Sequence, residues 1–302
     1  MKQLGAAVGV LLTAACLGSA VEPMKIDFHW SFKQRAAQNL FAKKDYAGAQ
    51  KALDELTETA PTPAAGADCI SLSAIALAYQ DQYEAALQKA GTLAEPPMAD
   101  YTRMEIMTVA GKQAELVAAY KETDFSVWPE KIAYQGFLLR GNAYQKLADN
   151  QTAVKDLAQA VEQPGASPTF RVETLNRVGG LYAGLEQPEQ ALAAYQQAMA
   201  IVEDPKQKTK GPSEYPLAIM GAARVLLAQG KPDDAVAMLA KYDPSQSKSY
   251  GLRVLETAGD ILAGQGNKDA ARAKYEDAHK RALGWNDTKA ADRVAKKIEA
   301  LK

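Results

Sequence analysis

From Ala37 to Ala278 the chain repeats one pattern of small and large apolar residues at intervals of 33 to 43 residues. One unit places Phe137, Gly141 and Tyr144 four and three apart, followed by Ala153, Leu157 and Ala160. The next sets Leu175, Gly179, Tyr182, Ala191, Tyr195 and Ala198 at identical steps, and a third keeps them again with Leu255, Gly259, Leu262, Ala271, Tyr275 and Ala278. Apolar residues three and four apart share one helix face, so each unit predicts two helices joined by a turn. Gly141 and Ala153 are small where the two helices must approach, and Tyr144 and Leu157 fill the space beside that crossing. One such hairpin buries too little to stand alone. Stacking hairpins makes a continuous core, which constrains the chain to an array that grows in one direction.

This order of small residue, aromatic, second small residue and closing proline resembles the tetratricopeptide repeat family, most strongly in the C-terminal half. Weaker copies carry Ala37, Leu40, Ala49, Leu53, Leu56 and Pro61, then Ala74, Leu77, Ala86, Ala90 and Pro97. A degenerate unit between Tyr101 and Tyr120 keeps Met104, Met107 and Ala110 on one helix and Leu116, Val117 and Tyr120 on the other. A further unit runs Leu217, Ala222, Val225, Ala235 and Leu239. Taking the small residue of each first helix as anchor, with Met107 standing in for one, gives Ala37, Ala74, Met107, Gly141, Gly179, Ala222 and Gly259. The fold expected is therefore all-α, and by the resemblance a right-handed superhelical solenoid, of about seven antiparallel helix hairpins with a C-terminal capping helix. Residues 21–130 hold the degenerate hairpins, 131–284 the regular ones and 285–302 the cap.

Turn chemistry supports the same division. Asp45-Tyr46, Asp81-Gln82, Asp149-Asn150, Gln187-Pro188, Gly230-Lys231-Pro232 and Gly266-Asn267 fall between paired helices. Longer breaks are expected between hairpins, at 60–66, 163–167, 204–212 and 243–247. The cap, N-capped by Asn286 or Asp287, puts Ala291, Val294, Ile298 and Leu301 on one face and Lys289, Arg293, Lys296, Lys297 and Lys302 on a solvated one.

Net charge is −1, which gives no electrostatic case for nucleic acid as partner. The first twenty residues read as an export signal: Lys2, a short apolar stretch from Leu4 to Leu17, and Gly18-Ser19-Ala20 as a cleavage site before Val21. Leu12-Thr13-Ala14-Ala15-Cys16 competes with it as a bacterial lipobox, with residues 1–15 removed and Cys16 carrying lipid that anchors the chain to a membrane. Either places the protein in the periplasm, soluble or lipid-anchored. Neither leaves two thiols to pair, and Cys69 reads as a buried structural residue.

Catalysis finds little to work with. The two histidines, His29 and His279, stand at opposite ends of the array, and no HExxH or phosphate-binding loop is present, so no enzyme activity, metal or cofactor is expected. Recognition remains. In the solenoid that the resemblance implies, the first helix of each pair lines a concave groove suited to a partner peptide or helix. Positions beside the small residue and one turn before it supply the candidate groove residues Leu138, Asn142, Gln145, Asn176, Arg177, Gly180, Arg253, Glu256 and Asp260. Family members that grip a C-terminal carboxylate use Lys, Asn and Arg on consecutive units. Asn142 and Arg177 correspond, but Leu138 stands where Lys is needed, so that activity is not carried over. A small-ligand or glycan site in the groove and a self-associating structural role are the other readings. Tyr144, Tyr182, Tyr195 and Tyr275 read as core; Phe28, Trp30 and Phe32 precede the first convincing pair as an end cap or docking patch; Trp128 marks a break in regularity.

Overall fold

The computed structural model describes residues 28–207 and 213–302, and across them each sequence repeat is a pair of helices. The pairs are α1 (Phe28–Ala42) with α2 (Tyr46–Glu58), α3 (Pro63–Ala78) with α4 (Tyr83–Ala90), α5 (Pro96–Val109) with α6 (Gln113–Tyr120) and α7 (Glu130–Lys146) with α8 (Asn150–Glu162). They continue with α9 (Pro168–Gly184) and α10 (Pro188–Glu203), α11 (Glu214–Ala228) and α12 (Pro232–Leu239), and α13 (Lys248–Gly264) and α14 (Lys268–Gly284); α15 (Thr288–Glu299) closes the array. Each second helix packs on its own first helix and on the next one along, the one-dimensional contact pattern of an α-solenoid. The degenerate unit is a complete hairpin. The expected export segment, Cys16 included, lies outside the described residues.

Within every hairpin the first helix ends in the same way. One residue takes a positive φ: Lys44, Asp81, Gly111, Ala148, Glu186, Gly230 and Gly266 in turn, and Asn286 ahead of α15. The following amide then reaches back to the carbonyl five residues earlier, as Asp149 N–H does to Tyr144 at 2.9 Å and Asn267 N–H to Leu262 at 2.9 Å. This satisfies a carbonyl that the helix end would leave unpaired. The residue that makes this bond caps the second helix. Asp45, Asp149 and Asn267 accept from the amides of Gly48, Thr152 and Ala270, and Asp287 does the same for α15 from Ala290.

The crossings follow the predicted chemistry. A Cβ on Gly179 would stand 2.8 Å from the ring of Tyr195, and one on Gly259 only 2.4 Å from that of Tyr275. At Gly141 the facing residue is Leu157, at 3.1 Å. Ala153, Ala191 and Ala271 are fully buried on the opposing helices. Tyr182 departs from the reading: it is half-buried at the edge of the core rather than inside it.

Two boundaries differ from expectation. Helix α1 begins at Phe28, so Trp30 and Phe32 lie inside the first hairpin rather than ahead of it. Trp30 is buried, its Nε1 donating to the Leu56 carbonyl at 3.1 Å, while Phe32 is exposed. Residues 63–66 belong to α3 because Thr62 caps it and Pro63 takes the first helical position, where a missing N–H costs nothing. The break at Trp128 is a 3-10 turn, Phe125–Val127. Phe125 is wholly buried, edge-on to Trp128 and Phe137, and sits where Gly136 has no side chain. Arg140 locks this junction. Its Nε and Nη2 each lie 2.8 Å from an oxygen of buried Asp156, its Nη1 bonds the carbonyls of Tyr120 and Thr123, and its guanidinium lies over the Phe125 ring. No helix among the described residues is long and apolar enough to cross a membrane.

Candidate functional site

The inner side of the array shows itself through its clefts. One is walled by Gln38 of α1, Leu72 of α3, Tyr101 of α5 and Gln135 of α7. A single cleft touching four successive first helices lies where an array curves towards itself. The same side carries a cleft of about 540 Å³ between α5, α7 and α9, and one of about 640 Å³ between α11, α13 and α15.

The middle cleft gathers three of the sequence candidates. Arg177 of α9 donates through Nη2 to Asn142 Oδ1 at 2.7 Å and Gln145 Oε1 at 3.0 Å on α7, one repeat away. Both acceptors are amides. No carboxylate among the described residues pairs with Arg177, and partial burial draws its pKa down from the ordinary arginine value. The arrangement holds a planar cation in a fixed orientation with its charge unneutralised, which suits it to a carboxylate or a peptide carbonyl.

Leu138 and Asn176 turn away from such a role. Leu138 is half-buried and packs against the core. Asn176 donates to the Glu214 carbonyl at 3.0 Å and its carboxylate at 3.1 Å, tying α9 to the start of α11.

The C-terminal cleft divides its residues. Glu256 is buried and accepts from Arg293 Nε at 3.0 Å and Nη2 at 2.7 Å, with Lys297 at 3.5 Å. Asp260 accepts from Lys297 at 2.7 Å and from the Tyr275 hydroxyl at 2.7 Å. Burial, and then this bond to a carboxylate, push the Tyr275 pKa up. Both acids are thus engaged by the capping helix: two cations expected on its solvated face reach across to α13, Lys297 partly buried and Arg293 still 54% exposed. Lys289, Lys296 and Lys302 stay exposed. Arg253 remains available, its guanidinium over the Tyr250 ring.

Arg224 and Lys248 line this cleft and were missed from sequence. Around the Ala222 anchor the equivalent positions, Ile219 and Ala223, are apolar, and Arg224 stands one residue beyond them. Elsewhere a usable signal existed: Asn142–Arg177, Asn176–Glu214 and Glu256–Arg293 lie 35, 38 and 37 residues apart, one repeat, so polar residues of complementary type at that separation mark contacts between successive repeats. Cys69 is fully buried and its thiol is pushed up to about 11, chiefly by burial, as a structural thiol would be. Among the described residues no group of three His, Cys, Asp or Glu side chains is placed to hold a metal.

Residues 205–302 match the model of the tetratricopeptide repeat-like domain family. The chain has a tetratricopeptide repeat fold. The crystal structure of apo RapI superposes with a TM-score of 0.60 at 13% identity, covering 88% of this chain and 80% of RapI. A signal-transduction ATPase of the STAND type with a tetratricopeptide repeat sensor, from Pyrococcus horikoshii, gives 0.54 at 12% identity. That match covers 91% of this chain and 45% of the ATPase, so the repeats here correspond to less than half of it. No curated protein matches the chain in sequence.

Proposed function

We propose that the inner face of this tetratricopeptide repeat array binds an extended protein segment, and that the chain acts as a non-enzymatic interaction scaffold of a bacterial cell envelope. The observation that carries the reading is Arg177, oriented by two amide oxygens and left without a counter-charge in a cleft that three successive first helices form. An oriented, uncompensated guanidinium on a concave surface gains from an acceptor that the chain itself does not provide. The repeats of the STAND ATPase are described as a sensor, which is a recognition role. Placement in the envelope draws on the apolar stretch and small-residue site of residues 1–20, with lipid at Cys16 as the other form of export.

The test has two parts. Crosslinking and capture from the native envelope should yield a partner that Arg177→Ala with Asn142→Ala loses and Lys155→Ala, on the exposed face of α8, keeps. Loss with neither or with both variants would overturn the inner-face assignment. Intact mass of the chain recovered from its host should begin at Val21 or at a lipid-modified Cys16; a chain still starting at Met1 would overturn export.

A further inference from the structure

Between α9 and α11 the inner face opens into a cleft of about 480 Å³ that is more apolar than the C-terminal groove beside it. Gly180 and Ala183 form one wall, with Glu186 at its end, Val225, Ala228 and Gln229 form the other, and Tyr195 lies beneath. Two glycines here do different things. A Cβ at Gly221 would come within 2.3 Å of the Tyr195 ring, so packing requires that glycine. A Cβ at Gly180 would meet nothing nearer than the Tyr195 hydroxyl, at 3.7 Å, an ordinary contact. Glycine inside a helix costs roughly 0.5–1 kcal/mol relative to alanine, and at Gly180 no neighbour demands it. What the missing side chain leaves is the open recess.

The recess adjoins charge. Arg224 lines both this cleft and the C-terminal groove, where Lys248 and Arg253 join it. Glu256 and Asp260, acids of that groove, are already paired with Arg293 and Lys297, Asp287 caps α15, and Glu186 on the recess forms no ion pair with Arg224. No carboxylate among the described residues pairs with Arg224, Lys248 or Arg253. An apolar pit therefore opens onto a strip of three unneutralised cations, in a chain whose net charge is −1.

We infer that the α9–α11–α13 face takes an acidic peptide segment, seating one apolar side chain over Tyr195 in the Gly180 recess and laying its carboxylates along Arg224, Lys248 and Arg253. The proposal rests on the inner-face reading above and gives its partner a chemistry. The cations supply attraction and salt sensitivity; the recess supplies the choice of residue.

The probes are fluorescein-labelled heptapeptides of Glu and Asp carrying one Phe at each of the seven positions in turn, titrated by fluorescence anisotropy against the purified chain. At least one should bind saturably. Replacing its Phe by Ala, or filling the recess with Gly180→Leu, should weaken it at least about tenfold, Arg224→Glu should do so independently, and Gly180→Ala should bind as the parent does. Thermal melts by circular dichroism establish that each variant is folded; should Gly180→Leu not fold, the Phe-to-Ala peptide and Arg224→Glu read the two halves without it. Absence of saturable binding by every peptide overturns the inference, as does equal binding of the Ala peptide or indifference to Arg224→Glu. An envelope partner lost with Arg177→Ala yet retained by Gly180→Leu and Arg224→Glu would leave the inner-face reading standing and sink this one.

Discussion

Ala148 stands at φ 63°, in the left-handed region where a Cβ crowds the following carbonyl, at a cost of about 1 kcal/mol. Gly230 occupies the equivalent turn at φ 71° without that crowding. Ala148→Gly is therefore expected to raise the unfolding free energy read from urea titration and Gly230→Ala to lower it, each by about 1 kcal/mol; shifts of the same sign would refute the strain argument. A second residue-level prediction concerns Glu105, half-buried on α5 with the Tyr101 hydroxyl donating to it at 3.1 Å. Burial holds its carboxyl above the usual range. The folded state thus binds this proton more tightly than the unfolded one, and the stability it contributes, complete below the ordinary glutamate pKa, is lost as pH rises through the folded value. Glu105→Gln should melt higher than the parent at pH 7.5, with the gain shrinking near pH 4. Parallel melting curves at both values would contradict that.

Among the elements, the junction at α6–α7 depends most on one side chain. Arg140 neutralises Asp156 and closes the carbonyl end of α6, so Arg140→Ala leaves a buried carboxylate alone and should cost about 3–5 kcal/mol, measured by urea unfolding. Adding Asp156→Leu should return much of that loss, because the penalty lies in the orphaned charge. If the double variant is as unstable as the single, the carbonyl bonds matter more than the ion pair. Sequence alone placed a break here through Trp128 but gave no sign of Arg140, since nothing local distinguishes it from an exposed helical arginine.

For the whole molecule, stacking leaves the last hairpin with an apolar face that α15 covers through Ala291, Val294 and Leu301, packed with Leu255 and Leu262. An array without its cap exposes that face to other copies. Removing residues 285–302 should make the mass, by light scattering on a sizing column, rise more steeply with concentration than that of the full chain. Constant mass after truncation would mean that the last hairpin tolerates exposure. The cap also neutralises Glu256 and Asp260, so the same truncation should lower the affinity of the C-terminal groove for acidic peptides.

The number of hairpins, their turns, the cap of the last helix and the glycine crossings were legible from sequence because each depends on separations of three, four or five residues within one helix or turn. Asp45, Asp149 and Asn267 mark turns and Gly179 and Gly259 mark crossings in the sequence itself, whereas the capping bonds of those three turn residues emerge only in the structure. Tertiary structure decided which polar residues of the inner face are engaged and which remain available. Asn176 is held by Glu214, and Glu256 by Arg293, 38 and 37 residues away, while Arg177 finds only amides and Arg224 no acid at all. Those outcomes depend on how far one hairpin turns against the next, a rotation set by side-chain packing across the stack rather than by any local spacing.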